Sequence, residues 1–214
     1  KDTLKRLTSG VIPPGTPFAL RVFGRGKDSC QTDLDIPLQP LDAGAASARI
    51  GALSAKNNAK TPIGAALGSV AEDLGSASGD RVVVLVTDGE ETCNGDPAAE
   101  ILKLRQKGVD VRVNIVGFAV DDAKLASTFR VWSKAGDGSY FDARDAAGLT
   151  RALTLALAPA YDVVDGSDHV VASGVVGGEP ARVMPGDYTV RIKGASGRKG
   201  PVSVRSKQTS TVGL

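Results

Sequence analysis

Short apolar runs alternate with helix-type patterns from Lys1 to about Leu157. The apolar runs predict four strands, at Phe18–Phe23, Arg81–Thr87, Val109–Gly117 and Ser139–Phe141. The second of these runs is rich in valine and shows no polar alternation, which is typical of a parallel strand covered on both faces.

Helix-type patterns fill the stretches between these strands, and the chain opens on another at Lys1–Ser9. Hydroxyl or carboxylate side chains precede most of these patterns and suit the position before a helix, where they accept backbone N–H bonds. The predicted caps are Thr61, Asp96, Asp121 and Asp145. Strands that alternate with helices in this way predict an α/β fold with a doubly wound, mainly parallel sheet.

The pattern changes after Ala158-Pro159, where no helical periodicity remains. Short β-rich runs follow one another, separated by Gly, Pro, Asp and Ser. We therefore expect an α/β domain over residues 1–158 and a small all-β sandwich domain over residues 159–214.

Composition narrows the range of functions. The net charge is only +2 and aromatic residues make up 4%, so neither a basic footprint nor a stacking platform for nucleic acid is present. No stretch approaches the roughly 20 apolar residues of a membrane span. One His and two Cys disfavour a zinc site built from such ligands and a His-based catalytic triad.

The most informative segment follows the valine-rich strand. Asp88 comes at the carboxyl end of this strand, where open α/β sheets bind ligands, and Gly89 permits a sharp turn. Thr61 opens the preceding helix and should lie at the same edge. A carboxylate and a hydroxyl at one edge suit a hard divalent cation such as Mg²⁺.

These residues carry a resemblance to a known family. The segment Thr87-Asp88-Gly89, the helix start at Thr61 and the next strand resemble a von Willebrand factor A domain of bacterial type, over roughly residues 1 to 157. The resemblance implies a metal-ion-dependent adhesion site, abbreviated MIDAS, built from three loops that supply an Asp-x-Ser-x-Ser motif, a Thr and an Asp. Thr61 and Asp88 match the second and third contributions, and the implied cofactor is Mg²⁺ or another divalent cation such as Ca²⁺ or Mn²⁺.

The first contribution has no counterpart in the sequence. The family places that motif after its first strand, whereas this chain begins in the helix expected to follow it. We therefore expect a processed or partial chain whose first strand was removed, is missing from this piece, or comes from another chain. Asp165-Gly-Ser167-Asp-His169 has Asp and Ser at the right offset but His in place of the second Ser, and we interpret it as a hairpin turn.

Each site residue also has a structural interpretation. Asp88-Gly89 is a common turn pair, and Thr61 suits a helix cap. Their order within one α/β frame favours the metal edge. Gly89, Glu90 and Glu91 are expected at a partner-binding rim, the alternative for the two glutamates being a solvated edge.

The two cysteines follow two of the predicted strands. If the family's arrangement holds, Cys30 and Cys93 lie at the same edge, and a disulfide would brace the Asp88 loop. Two buried free thiols are the alternative. A disulfide would imply an oxidising, extracytoplasmic location: periplasm, cell surface or secretion.

We expect a non-enzymatic protein-binding or adhesion module, whose metal edge is completed by a carboxylate of a protein partner. The first alternative is a structural or assembly subunit without a working metal site, which accepts or exchanges a strand from another chain. A metal-dependent hydrolase is a third interpretation, which would need a second carboxylate or a His at the metal.

Overall fold

The computed structural model describes residues 1–54, 56–75, 77, 79–194 and 197–213. The chain forms two compact units, Lys1–Ala156 and Leu157–Leu214. The elements that begin in the first unit are, in chain order, α1 (Asp2–Gly10), β1 (Pro17–Phe23), β2 (Thr32–Pro40), α2 (Ala43–Ala52), α3 (Ile63–Gly68), α4 (Val70–Leu74), β3 (Val82–Thr87), α5 (Pro97–Gln106), β4 (Arg112–Phe118), α6 (Ala123–Ala135), β5 (Tyr140–Ala143) and α7 (Ala146–Leu157).

A parallel sheet of strands β3, β4 and β5, in that order, forms the centre of the first unit. β4 is the middle strand, and the side chains from Val113 to Val116 are buried. In β3 only Leu85 and Thr87 are buried. The continuous apolar run predicted a strand covered on both faces, but β3 lies at the edge of this sheet and is only partly covered.

Helices cover both faces of β4, as the predicted doubly wound fold requires. Val113 and Ile115 join a core cluster with residues of α3, α5 and α6, at whose centre Phe129 is fully buried. The alternating residue Asn114 is also buried, and its side-chain amide donates to the Ala156 carbonyl of α7 at 2.6 Å. Because successive side chains of a strand point to opposite faces, α7 lies on the other side of the sheet.

β1 and β2 form an antiparallel hairpin that is a separate sheet. β1 was predicted, but β2 and α2 were not. β2 alternates apolar and polar residues, yet Pro37 and Pro40 interrupt a strand pattern. α2 consists mostly of Ala, Gly and Ser, which leaves little apolar periodicity. Both elements pack into a small core around Ile36 and Ala46.

A mostly buried ion pair is one of the links between the hairpin and the rest of the first unit. The guanidinium of Arg21 in β1 donates two hydrogen bonds, each of 2.6 Å, to the Asp73 carboxylate of α4. The hydrogen bond to Asp73 raises the pKa of Arg21. At the end of the same strand, Phe23 packs against the core cluster of the parallel sheet.

β1 and β3 each have one edge that is not paired with a strand of the described residues. β1 pairs only with β2, and β3 pairs only with β4. Alternate N–H and C=O groups of an unpaired strand edge are free to bond another strand. With the outer edges of β2 and β5, which also pair on one side only, the described residues of the first unit have four unpaired strand edges.

Three of the four predicted helix caps are carboxylates, and two of them are confirmed. The side chains of Asp96 and Asp145 accept backbone N–H bonds of 3.0 and 2.7 Å at the starts of α5 and α7. The cap of α6 is Asp122 rather than Asp121, which the sequence indicated. The two residues are adjacent and chemically identical, so the pattern could not distinguish them.

The second unit has one four-stranded antiparallel sheet within the described residues, in the order β7-β6-β8-β9. The strands are β6 (Ala160–Val164), β7 (Val170–Val175), β8 (Gly186–Ile192) and β9 (Lys199–Val204). The all-β character was predicted correctly. The two packed sheets of a sandwich are not formed by these residues, since the remaining short runs are not strands.

None of the helices formed by the described residues is long and apolar enough to cross a membrane.

Candidate metal and partner edge

The loop that follows β3 begins with a turn held by its own side chains. The buried Thr87 hydroxyl donates to the Gly89 carbonyl at 2.9 Å and accepts from the Gly89 N–H at 3.3 Å. Asp88 between them is exposed. In the described part of the chain, its carboxylate forms no hydrogen bond or ion pair with another side chain or with the backbone. The carboxylate that was predicted to bind metal is therefore available to a ligand.

Thr61 is joined to the Asp88 loop through Thr92. The Thr61 N–H donates to the Thr92 hydroxyl at 2.7 Å, and the Thr92 N–H donates to the Thr61 carbonyl at 3.1 Å. α3 begins at Ile63, and no side chain caps it. Thr61 is thus not the helix cap that its position suggested, and its backbone instead fixes the helix start to the loop after β3.

The three predicted rim residues differ in their surroundings. Gly89 is half-buried in the turn, and Glu90 is exposed and forms no side-chain hydrogen bond or ion pair with the described residues. Glu91 is half-buried, and its carboxylate accepts from the N–H groups of Gly64 at 2.7 Å and Cys93 at 2.5 Å. Two adjacent glutamates therefore have different environments, one facing solvent and one facing the backbone.

A disulfide joins Cys30 to Cys93, with 5.7 Å between the two Cα atoms. The predicted pairing is confirmed. It connects the loop between β1 and β2 with the loop after β3. The former loop also contacts the segment before α3, through an isolated bridge between Lys27 and Ala59. Three loops at one edge of the first unit are therefore tied to one another.

An open cleft of about 620 Å³ lies beside the Asp88 loop. Its wall includes Glu90 and Asp96 from this loop, the α6 cap Asp122, and Lys124 and Trp132 from α6. Most of the charged side chains in the wall are acidic. The cleft extends the edge that carries Asp88 and gives it a concave neighbouring surface.

The oxygen donors at this edge fit only part of a cation's coordination shell. Asp88 supplies a free carboxylate and Thr61 a hydroxyl. Among the described residues, no group of three or more His, Cys, Asp or Glu side chains converges as a metal site. Mg²⁺ commonly takes one or two carboxylates and retains several waters, so this pair suits it only with additional ligands.

The Asp165-Gly166 segment is the hairpin turn that the sequence indicated. It connects β6 to β7, and the Asp165 carboxylate accepts from the N–H groups of Ser167 at 2.9 Å and His169 at 3.0 Å. The bonds from the backbone of His169 and Ser167 lower the pKa of Asp165. His169 is the one His of the chain, and its side chain is 79% exposed.

Sequence reasoning did not identify Thr92, and it assigned Glu91 only to the rim. Both residues act on partners about thirty positions away along the chain. No periodicity or short motif signals such a pairing. The only indication in the sequence was the density of polar side chains between Asp88 and Cys93.

A comparison with protein families and known structures places this geometry in context. The model of the von Willebrand factor type A domain matches residues 1–154. The "Uncharacterized protein YwmD" of Bacillus subtilis (strain 168) is 39% identical over 147 residues, which are 64% of this chain and 64% of that protein. The chain thus spans less than two thirds of this relative's length.

Two solved structures share the fold at low sequence identity. A von Willebrand factor type A protein from Catenulispora acidiphila has a TM-score of 0.52 and 16% identity, covering 94% of this chain and 60% of that one. Proximal thread matrix protein 1 from the mussel byssus, with a zinc-occupied MIDAS motif, has a TM-score of 0.56 and 20% identity, covering 73% and 40%. These two structures share the fold, and the family match over residues 1–154 shows that this chain belongs to the von Willebrand factor type A domain family.

Proposed function

We propose that the chain is an extracytoplasmic protein-binding or adhesion module with a divalent-metal edge at Asp88 and Thr61. The observation that carries the proposal is the free, exposed Asp88 carboxylate in a loop that is paired with the Thr61 segment. Domains of this family generally mediate protein interactions. The resemblance stated above assigns to such an edge a Thr and an Asp at these two places.

The cation would be held by the Asp88 carboxylate and the Thr61 hydroxyl. We propose Mg²⁺ as the resident ion, with Ca²⁺ or Mn²⁺ as substitutes, because both donors are hard oxygens. Waters and a partner's carboxylate would provide the other ligands. The zinc-occupied MIDAS motif of the mussel protein supports an ion at this type of edge.

The partner would contact the rim around the metal. Gly89 and the exposed Glu90 flank Asp88, and the cleft beside them offers a concave surface that includes Trp132. We propose binding rather than catalysis. The one His of the chain lies in the β6–β7 turn of the second unit, where its Nδ1 is 3.7 Å from an Asp165 carboxylate oxygen.

The disulfide supports an extracytoplasmic location. Disulfides persist in the periplasm, at the cell surface and in secreted proteins, whereas the cytosol keeps thiols reduced. The Cys30–Cys93 bond holds the loop that carries Asp88, so the same oxidising conditions would maintain the binding edge.

Isothermal titration with Mg²⁺ tests this proposal on the intact protein. We expect binding by the native chain, and its loss in Asp88→Ala and in Thr61→Ala. Thr154→Ala, which removes an exposed hydroxyl from α7, is the matched control and should bind as the native protein does. Absence of Mg²⁺ binding by the intact native protein would overturn the proposal.

A second candidate function is an assembly subunit that accepts a strand from another chain. The two unpaired edges of β1 and β3 favour it, because an extended segment can add to an open sheet edge through main-chain bonds. The half-exposed Val84 and Val86 of β3 would gain cover from such a strand.

Hydrogen exchange of the β3 amides tests the second candidate. In the isolated chain, the alternate amides that point away from β4 should exchange quickly, while those bonded to β4 stay protected. Slow exchange of these amides when a second chain is bound would support strand acceptance. Fast exchange in every complex isolated would contradict it.

A further inference from the structure

The Glu91 carboxylate bridges two backbone segments of the first unit. One oxygen accepts from the Gly64 N–H at 2.7 Å, and the other accepts from the Cys93 N–H at 2.5 Å. Hydrogen bonds to a charged acceptor are about twice as strong as neutral ones. Glu91 thus connects the first turn of α3 to the loop after β3 with both of its oxygens.

Two glycines allow this close approach. A Cβ atom on Gly64 would lie 2.9 Å from the Cα atom of Gly95, and one on Gly95 would lie 2.9 Å from a Glu91 oxygen. Neither distance is tolerated without a shift of the backbone or of the carboxylate. The start of α3 and the loop after β3 are therefore in direct backbone contact, with the Glu91 carboxylate beside them.

The contact joins the two segments that carry the proposed metal ligands. Gly64 follows Thr61 in the same segment, and Glu91 follows Asp88 in the other. A pair of hydrogen bonds between Thr61 and Thr92 also joins these two segments. The Glu91 bonds therefore add to the contacts that hold the segment of Thr61 against the loop of Asp88.

We infer that Glu91 is a positioning residue, which holds the Asp88 loop on the start of α3 and thereby fixes the spacing between Thr61 and Asp88. The effect of Glu91 on metal binding rests on the proposed function. Glu91 touches no metal in this role, and the neighbouring Glu90 remains the rim glutamate.

Glu91→Gln is the variant that tests this role. The side chain keeps its size, but its NH₂ group cannot accept a hydrogen bond, so one of the two N–H groups loses its partner. Glu72→Gln is the matched control, because it removes the same charge from an exposed residue of α4 that is neither a proposed ligand nor a rim residue. Both variants keep the Cys30–Cys93 bond.

The first measurement is hydrogen exchange of single amides in the intact protein. In Glu91→Gln, exchange at Gly64 or Cys93 should accelerate by about 10-fold or more, as expected when a bond to a charged group is lost. The Ile115 amide within the sheet serves as reference and should not change. Unchanged exchange at both Gly64 and Cys93 would overturn the inference.

The second measurement is the Mg²⁺ dissociation constant from isothermal titration. We expect Glu91→Gln to bind about 10-fold more weakly, as is typical when an outer residue that orients a metal ligand is lost. Glu72→Gln should bind as the native protein does. If Glu91 had only a structural role, Glu91→Gln would lower the free energy of unfolding and leave the Mg²⁺ affinity of the folded protein unchanged.

The outcomes separate this inference from the proposed function. Equal Mg²⁺ affinity in the native protein and Glu91→Gln, or equal weakening in both glutamine variants, overturns the inference and leaves the function standing. If the native protein binds no Mg²⁺, the proposed function fails, and amide exchange alone decides whether Glu91 holds the loop.

Discussion

Two Asp-Gly segments of this chain use their aspartates in opposite ways. In the β6–β7 turn, the Asp165 carboxylate is occupied by two backbone N–H groups of its own turn. In the loop after β3, the Asp88 carboxylate is exposed and has no such bond within the described residues. The surrounding groups hold that loop instead: the Thr87 hydroxyl, the Glu91 carboxylate and the Cys93 sulfur.

A ligand site can form where the surrounding groups leave a carboxylate free. A short turn folds through its own side chain, so its carboxylate is not available for other bonds. A loop that is fixed by more distant residues can leave one carboxylate free. The groups around the Asp-Gly pair, and not the pair itself, decide whether the carboxylate is occupied or free.

Removing the disulfide should have the largest effect on stability. The disulfide anchors the loop after β3 and has no counterpart in the β6–β7 turn. The double variant Cys30→Ser, Cys93→Ser should lower the free energy of unfolding of the first unit by up to about 4 kcal/mol in the chain-entropy description of a loop of this length. Urea unfolding followed by the fluorescence of Trp132, the chain's one Trp, measures this.

The control for the disulfide variant is the native protein with and without reductant. Reductant should lower the urea concentration at the unfolding midpoint of the native protein and leave that of the double variant unchanged. Identical midpoints for the oxidised and reduced native protein would mean that the disulfide does not support the loop.

An added methyl group should reduce stability by a smaller amount, and it should again affect the contacts of the loop after β3 and not the β6–β7 turn. Gly64→Ala places a Cβ atom against the Gly95 backbone and should destabilise the first unit by about 1–3 kcal/mol, the usual cost of overpacking. Gly166→Ala in the β6–β7 turn is the matched control, since nothing lies within 4 Å of its added Cβ. Thermal unfolding of both variants checks the comparison, and similar losses would refute the tight contact.

The smallest effect is expected from the pH dependence of the β6–β7 turn. The N–H groups of His169 and Ser167 lower the pKa of Asp165 below its ordinary value of 3.8. Because the folded-state pKa is the lower one, the stabilisation by this carboxylate is present above the ordinary value and is lost as the pH falls through the folded-state pKa.

An NMR titration of the Ser167 and His169 amide signals measures this transition. The midpoint should lie below 3.8, and Asp165→Asn should abolish it. A midpoint at or above the ordinary value would show that the turn does not depend on the charged carboxylate.

The sequence was sufficient for the elements with strong local signals. The parallel strands, the caps at Asp96 and Asp145 and the β6–β7 turn all follow from residues close together in the chain. β2 was missed because Pro37 and Pro40 weaken its pattern. The disulfide came from the family resemblance, and the structure confirms it.

The candidate site was predictable only in part. Thr61 and Asp88 were identified from the order of motifs, but the bonds that connect their segments were not. Thr92 and Glu91 find their partners through the tertiary fold, across segments separated by about thirty residues. Such contacts depend on how α3 packs beside β3, which no local pattern specifies.

The central claim is that Asp88 is free for a ligand because other groups hold its loop. The most direct test compares Asp88→Asn with Asp165→Asn in one pair of measurements, the free energy of unfolding without metal and the affinity for Mg²⁺. Asp88→Asn should unfold within about 0.5 kcal/mol of the native protein and lose Mg²⁺ binding. Asp165→Asn should keep native Mg²⁺ affinity and lose the titration of its turn. The account would be contradicted if Asp88→Asn were clearly destabilised and still bound Mg²⁺ like the native protein.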